Sequence, residues 1–131
     1  MAKKDLVKIL HNSFFNAGTV YCAGKALAIV SNKYFDLNLD AYNSVEHLSI
    51  GIGLGTMGYR AAGGGLKGLV YASLFGMGFN AIWEPLEHYG EFFKETPINR
   101  ITDIFMVQGG NLLGSGMENF RDKFKKTKPE D

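Results

Sequence analysis

Glycine is the residue that most limits how this chain can fold. The sequence has 17 glycines in 131 residues, and all but Gly90 lie in or between apolar segments. In a water-exposed helix glycine costs about 1 kcal/mol relative to alanine, whereas membrane helices use it where two backbones approach closely. Three pairs have the four-residue spacing of such a contact: Gly51 and Gly55, Gly64 and Gly68, and Gly110 and Gly114. We therefore predict close helix packing at these glycines and a membrane environment.

Apolar segments divide the chain into four predicted helices. They lie at approximately 14–31, 45–62, 66–88 and 101–117, and a charged tail follows at 118–131. A chain of 131 residues with a formal net charge of +1 fits one domain and lacks the excess of Lys and Arg that is typical of nucleic-acid binding. The predicted fold class is all-α, a four-helix transmembrane bundle in a single domain, 1–131.

The basic residues are distributed unevenly between the two ends of this bundle. With four spans, both termini share one side with ten basic residues: Lys3, Lys4, Lys8, Arg60, Lys67, Arg121, Lys123, Lys125, Lys126 and Lys128. The opposite side has Lys33, Lys94 and Arg100. The positive-inside rule then places the N- and C-termini in the cytoplasm and predicts an integral membrane localisation. Hydropathy alone does not decide between this fold and the alternative, a soluble all-α protein, because no uncharged run reaches the roughly 18 residues of a spanning helix.

A polar stripe follows one face of the third predicted helix: Asn80, Glu84, Glu87 and His88. Residues at i, i+4, i+7 and i+8 share a helix face. The second helix begins near Glu46 and His47 and the fourth near Asp103, so these side chains are expected at the same, exoplasmic end. Carboxylates and imidazoles that converge in this way are typical of a metal or proton-handling site.

This cluster defines the predicted binding residues. The predicted ligand-binding set is Asn80, Glu84, Glu87, His88 and Asp103, and the predicted ligands of a divalent metal ion are His47, Glu84, Glu87 and His88. The alternative is that these groups reach interfacial water and cap the ends of their helices. The sequence assigns no catalytic residue. The run from Gly51 to Gly55 lacks the third glycine of a dinucleotide fingerprint, and Cys22 has no assignable histidine partner.

Part of the second half resembles a known group of membrane proteins. The residues concerned are Trp83-Glu84-xx-Glu87, then Asp103-Ile104-Phe105 with Gly110 and Gly114. Over about 35 residues this stretch resembles small polytopic bacterial membrane proteins of the VanZ-like kind, although Val107 stands where that group often has Asn. The resemblance implies a multi-helix membrane fold and no defined reaction.

Three functions are compatible with these patterns. The main hypothesis is a small multi-pass membrane protein whose exoplasmic acidic and histidine cluster binds a metal ion or a polar head group. A second is a structural or assembly subunit of a membrane complex that packs through its glycine faces. A third is a soluble all-α ligand-binding protein. The predicted partners are the lipid bilayer and, through the glycines, a second copy or partner membrane helices, with no nucleic acid.

Overall fold

The computed structural model describes residues 3–40, 43–89 and 97–127. Within these ranges it contains no strand and four α-helices: α1 (Lys3–Phe35), α2 (Ser44–Ala61), α3 (Gly65–Tyr89) and α4 (Pro97–Thr127). The predicted all-α fold with four helices is confirmed. Two helices are longer than the apolar segments indicated, since α1 begins at Lys3 and α4 continues through most of the predicted charged tail.

The second helix is the centre of the bundle. α2 packs against all three other helices, and α3 also packs against α4. α1 and α2 run antiparallel, since Gly24 contacts Val45 near one end of the pair and Asn16 bonds Thr56 near the other. Small residues on α2 let the backbones of the neighbouring helices come close, so that α2 can pack against all three of them.

Glycines on α2 bring that helix into backbone contact with α4. A Cβ atom built on Gly51 would lie 2.1 Å from the carbonyl oxygen of Val107. A Cβ atom on Gly55 would lie 2.0 Å from the carbonyl oxygen of Asn111. Both distances are far inside van der Waals contact, so any larger residue at either position would force the two helices apart.

Glycines on α4 have the same role from the opposite side. A Cβ atom on Gly110 would lie 2.2 Å from the carbonyl oxygen of Leu48, and one on Gly114 would lie 2.3 Å from that of Ile52. The α2–α4 contact is therefore a seam of four glycines, two from each helix, with the four-residue spacing that places both members of a pair on one face.

The remaining pair of predicted packing glycines occupies two different environments. Gly64 lies in the turn between α2 and α3 with φ +80°, a conformation that favours glycine. Gly68 lies one turn into the next helix, where a Cβ atom would come within 2.7 Å of the ring of Tyr59. Gly64 thus allows the backbone conformation of the turn, and Gly68 allows α3 to pack closely on α2.

Membrane-spanning character is not supported. Among residues 3–40, 43–89 and 97–127, every helix is either too short or too polar to cross a membrane. The predictions of a transmembrane bundle, a multi-pass topology and an integral membrane localisation with cytoplasmic termini are therefore wrong. Arg60 and Arg121, which the charge asymmetry placed at one membrane face, instead form ion pairs with Glu118.

The interior of the bundle is rich in polar side chains. Asn16, Asn111 and Glu118 expose 1% or less of their surface, as do Thr56 and Ser115. Large apolar side chains lie on the outside of the bundle; Phe14, for example, is 75% exposed. This distribution leaves apolar surface on the exterior of the bundle.

Candidate functional site

The predicted polar stripe on α3 is only partly described. Asn80 is buried, and Glu84 lies opposite Arg100 of α4, with its Oε2 atom 3.6 Å from the arginine Nε. The side chains of Glu87 and His88 lie outside the described part of the structure. The described half of the stripe therefore places Glu84 next to a cation.

His47 and Asp103 lie together at the start of α2 and α4. The Nδ1 atom of His47 is 3.2 Å from Oδ1 of Asp103 and 3.0 Å from the carbonyl oxygen of Asn43. The side chain of Asp103 is almost completely buried. This pair links the beginnings of the two helices that the glycine seam holds together.

Two of the four predicted metal ligands, Glu87 and His88, have side chains outside the described part of the structure, so the predicted ligand set as a whole stays a prediction. Among the side chains that the structure describes, no three from His, Cys, Asp and Glu are grouped so that they could hold a metal ion. The predicted function, a multi-pass membrane protein that binds a metal ion or polar head group, is therefore wrong. The described acids are distributed among separate pairs instead, Glu84 with Arg100 and Asp103 with His47.

A buried ionic network at the opposite end of the bundle was missed by the sequence analysis. Glu118 is completely buried, and both of its oxygens accept hydrogen bonds from arginines, Oε2 from Arg60 and Oε1 from Arg121. Asn16 on α1 donates through Nδ2 to Oε1 of Glu118 at 3.0 Å and to Thr56 at 3.1 Å. The network joins α1, α2 and α4 through a single carboxylate.

Asp122 extends this network to the turn before α3. Its carboxylate accepts two hydrogen bonds from Nη1 of Arg60, at 2.8 and 3.0 Å, and one from the hydroxyl of Tyr59 at 3.2 Å. Burial raises the pKa of Tyr59. Burial alone would lower the pKa of Arg60, but hydrogen bonds to Asp122 and Glu118 outweigh it and hold that pKa above its usual value. We assign the network a structural role, because its buried carboxylate is already paired on both oxygens.

An open groove with mostly apolar walls lies between α1 and α2. It has a volume of about 470 Å³. Its walls are mostly apolar and include Phe14, Tyr21, Ile50, Leu54 and Met57. We call this cavity the α1–α2 groove. Gly18 and Gly53 also line it, and at Gly18, where a Cβ atom would meet nothing within 4 Å, the absence of a side chain leaves the groove open.

Polar atoms mark the two ends of the α1–α2 groove. Ser13 and Cys22 on α1 are nine residues apart, so the groove is about 14 Å long at 1.5 Å per residue. Ser13 lies at one end and Glu46 at the other, because the helices are antiparallel. Among the described residues, neither Oγ of Ser13 nor Oε2 of Glu46 has a hydrogen-bond partner, although both atoms are buried. Buried oxygens without partners are uncommon, since each costs about 1–3 kcal/mol.

Lys25 defines the chemistry at the Glu46 end. It forms ion pairs with Asp40 and with Oε1 of Glu46, which leaves Oε2 of Glu46 without a partner. Burial alone would raise the pKa of Asp40, but hydrogen bonds from Lys25 and from the backbone of Val45 outweigh it and lower that pKa. Asp40 therefore stays ionised and helps to hold Lys25 in place. The formal charges of Lys25, Asp40 and Glu46 sum to one negative charge at this end of the groove.

Comparison of this chain with protein-family models, with curated proteins and with solved structures gives no match. The resemblance to VanZ-like proteins stays a prediction. The proposed function therefore rests on the fold and on the α1–α2 groove.

Proposed function

We propose that this protein binds an elongated, mostly apolar small molecule in the α1–α2 groove. The observation that carries this proposal is the groove itself, a space of about 470 Å³ between two helices whose walls are almost entirely apolar. The bound molecule has an apolar body and, at the end near Glu46, a positively charged amine. This corresponds to the ligand-binding alternative among the hypotheses from the sequence.

The dimensions of the groove support a small-molecule ligand. Binding sites for small molecules have volumes of about 300–1,000 Å³, are lined mainly by apolar and aromatic side chains, and contain a few polar groups that fix orientation. The groove has a volume of about 470 Å³ and follows this pattern. Burial of apolar surface supplies the affinity, at roughly 25 cal/mol per Å².

The two ends of the groove support an oriented ligand. At the end opposite Glu46, Ser13 is only 4% exposed, so its hydroxyl offers a ligand almost no surface and this end is apolar. The carboxylate of Glu46 can only accept, and it is negatively charged, so an ammonium group fits this end better than a hydroxyl. The difference between the two ends therefore favours one orientation of an asymmetric ligand.

A leucine at Gly18 is expected to block the groove without disturbing the fold. A Cβ atom on Gly18 meets nothing within 4 Å, and the residue lines the groove, so Gly18→Leu places its side chain in the ligand's space. We expect affinity for the fluorescent amine 1-aminoanthracene to fall about 10-fold or more, which corresponds to about 1.4 kcal/mol. Fluorescence titration measures the dissociation constant, and displacement by octylamine shows that binding is reversible.

Gly109→Leu is the matched control for this experiment. Gly109 is also helical and exposed, and a Cβ atom there meets nothing within 4 Å, but it does not line the groove. This variant is expected to bind the probe as the wild type does. Equal affinity of all three proteins would show that the probe binds elsewhere and would refute the proposed site.

A further inference from the structure

Positive charge is concentrated at the end of the bundle where α1 and α3 begin and α2 and α4 end. The described basic residues at this end are Lys3, Lys4, Lys8, Arg60, Lys67, Arg121, Lys123, Lys125 and Lys126, and the described acids are Asp5, Glu118 and Asp122. Nine cations against three acids give this end a formal charge of +6, in a chain whose net charge is +1. The charge asymmetry seen in the sequence is therefore real, although no membrane-spanning helix accounts for it.

The arginines at this end are paired with acids, and the lysines are not. Arg60 and Arg121 both bind Glu118, and Arg60 also binds Asp122. Among the described residues, no lysine at this end forms an ion pair, whereas Lys25 at the opposite end pairs with two acids. Uncompensated charges of one sign around a cleft concentrate ions of the opposite sign there.

A cavity lies at this end between α1, α2 and α4. It has a volume of about 350 Å³, and its wall includes Lys8 and Asn12 of α1, Arg60 of α2 and Lys125 of α4. Asp5 is the only acid among the described residues that line it. We call this space the Arg60 cavity. Three cations from three different helices thus surround a volume within the range of small-molecule sites, about 300–1,000 Å³.

Arg60 is held in a fixed position at the wall of this cavity. Its Nε atom donates to Glu118, and its Nη1 atom donates to Asp122 at 2.8 and 3.0 Å. Its Nη2 atom forms no hydrogen bond with the described residues, so two N–H groups of a guanidinium with a fixed plane remain available to a ligand. A pre-organised guanidinium loses little side-chain freedom when it binds an oxyanion.

We propose that the Arg60 cavity binds the phosphate group of a small molecule, with Arg60 as the fixed hydrogen-bond donor and with Lys8 and Lys125 supplying positive charge from α1 and α4. Phosphate suits this site better than a carboxylate, because at neutral pH a phosphate monoester has about two negative charges and three acceptor oxygens. Lysine binds phosphate as a mobile point charge, which agrees with the exposure of both lysines.

The Arg60 cavity and the α1–α2 groove are separate sites. The cavity is lined by the segment of α1 from Asp5 to Asn12, and the groove by the segment from Ser13 to Cys22. The charged end of the groove is negative, whereas the cavity is positive, so the amine expected in the groove is not a ligand for the cavity. Either proposal can therefore fail without the other.

The first test is isothermal titration calorimetry with inorganic pyrophosphate at low ionic strength. We expect saturable binding of one pyrophosphate per chain, weakened about 10-fold or more by Lys8→Met and by Lys125→Met. Lys33→Met is the matched control, because it removes the same charge from an exposed position of α1 at the opposite end of the bundle. Circular dichroism checks that each variant remains helical. Equal weakening by Lys8→Met and Lys33→Met would show attraction to net charge alone and would overturn the proposal.

A second test identifies the source of the phosphate. A free phosphate ester and a phospholipid head group share this chemistry, so we measure co-sedimentation with phosphatidylcholine vesicles that contain or lack phosphatidic acid. Binding of pyrophosphate without vesicle binding indicates a free phosphate ester. Binding to phosphatidic acid that Lys8→Met weakens and Lys33→Met does not indicates a lipid head group. Failure to bind either probe, or binding that Lys8→Met and Lys125→Met leave unchanged, would refute the site.

Discussion

Gly55→Ala is expected to lower the free energy of unfolding by about 3 kcal/mol, through the addition of one methyl group. The new Cβ atom would lie 2.0 Å from the carbonyl oxygen of Asn111, and backbone cannot rotate away as a side chain can. Overpacking of this kind costs about 1–3 kcal/mol, occasionally more, and the helices must separate along the whole seam. Urea denaturation followed by circular dichroism measures the change.

Gly53→Ala, two residues away on the same helix, makes the same chemical change in a different environment. Its Cβ atom would lie 3.5 Å from that of Ala17, an ordinary contact. We expect this variant to be stabilised by about 0.5 kcal/mol, since alanine is the better helix former. Equal stability of the two variants would show that α2 and α4 are not in backbone contact.

Arg60→Met is expected to produce the second large effect, a loss of about 3 kcal/mol of stability. Arg60 binds Glu118, which is completely buried, and also Asp122. Removing one partner of a buried ion pair leaves a desolvated charge without compensation, which typically costs about 3–5 kcal/mol. We place the expectation at the low end, because Arg121 and Asn16 still donate hydrogen bonds to Glu118.

Arg100→Met is the matched control for the ionic network. Arg100 pairs with Glu84 at 3.6 Å, and its own side chain is 37% exposed. Ion pairs with an exposed partner contribute about 0–1 kcal/mol, so this variant is expected to lose less than about 1 kcal/mol. If the two arginine variants were equally stable, the structural role assigned to the Glu118 network would be contradicted.

The positions of the helices and of the glycine faces at their closest contact could be predicted from the sequence, because both depend on local pattern. Apolar segments give the approximate positions of the helices, and four-residue spacing places Gly51 with Gly55 and Gly110 with Gly114 on one face of each helix. The structure adds that these two glycine faces contact each other, although they are far apart in the sequence. Pattern alone does not name the partner of a helix face.

The polar interior was not accessible, for a physical reason. Glu118 lies in a charged tail whose sequence is typical of a solvated segment. Its burial depends on three hydrogen-bond donors, Asn16, Arg60 and Arg121. The same arginines were counted as evidence of membrane orientation. A charge in the sequence does not reveal whether it faces water, lipid or an opposite charge.

The groove was missed for a related reason. Gly18 is a glycine outside the regular pairs, and its effect is an open space next to α1 and not a helix contact. Glu46 was considered only as part of the predicted polar end of the bundle. Its ion pair with Lys25 joins two helices, and the sequence pattern does not show which helices come together there.

The most direct test of the central claim is a titration of the ¹⁵N-labelled protein with octylamine, followed by two-dimensional NMR. The account predicts saturable shifts of the backbone amides that border the α1–α2 groove, residues 13–22 on α1 and 46–57 on α2, with little change on the outer face of α3. Shifts that do not saturate, or that lie outside these two segments, would contradict the groove as the ligand-binding site.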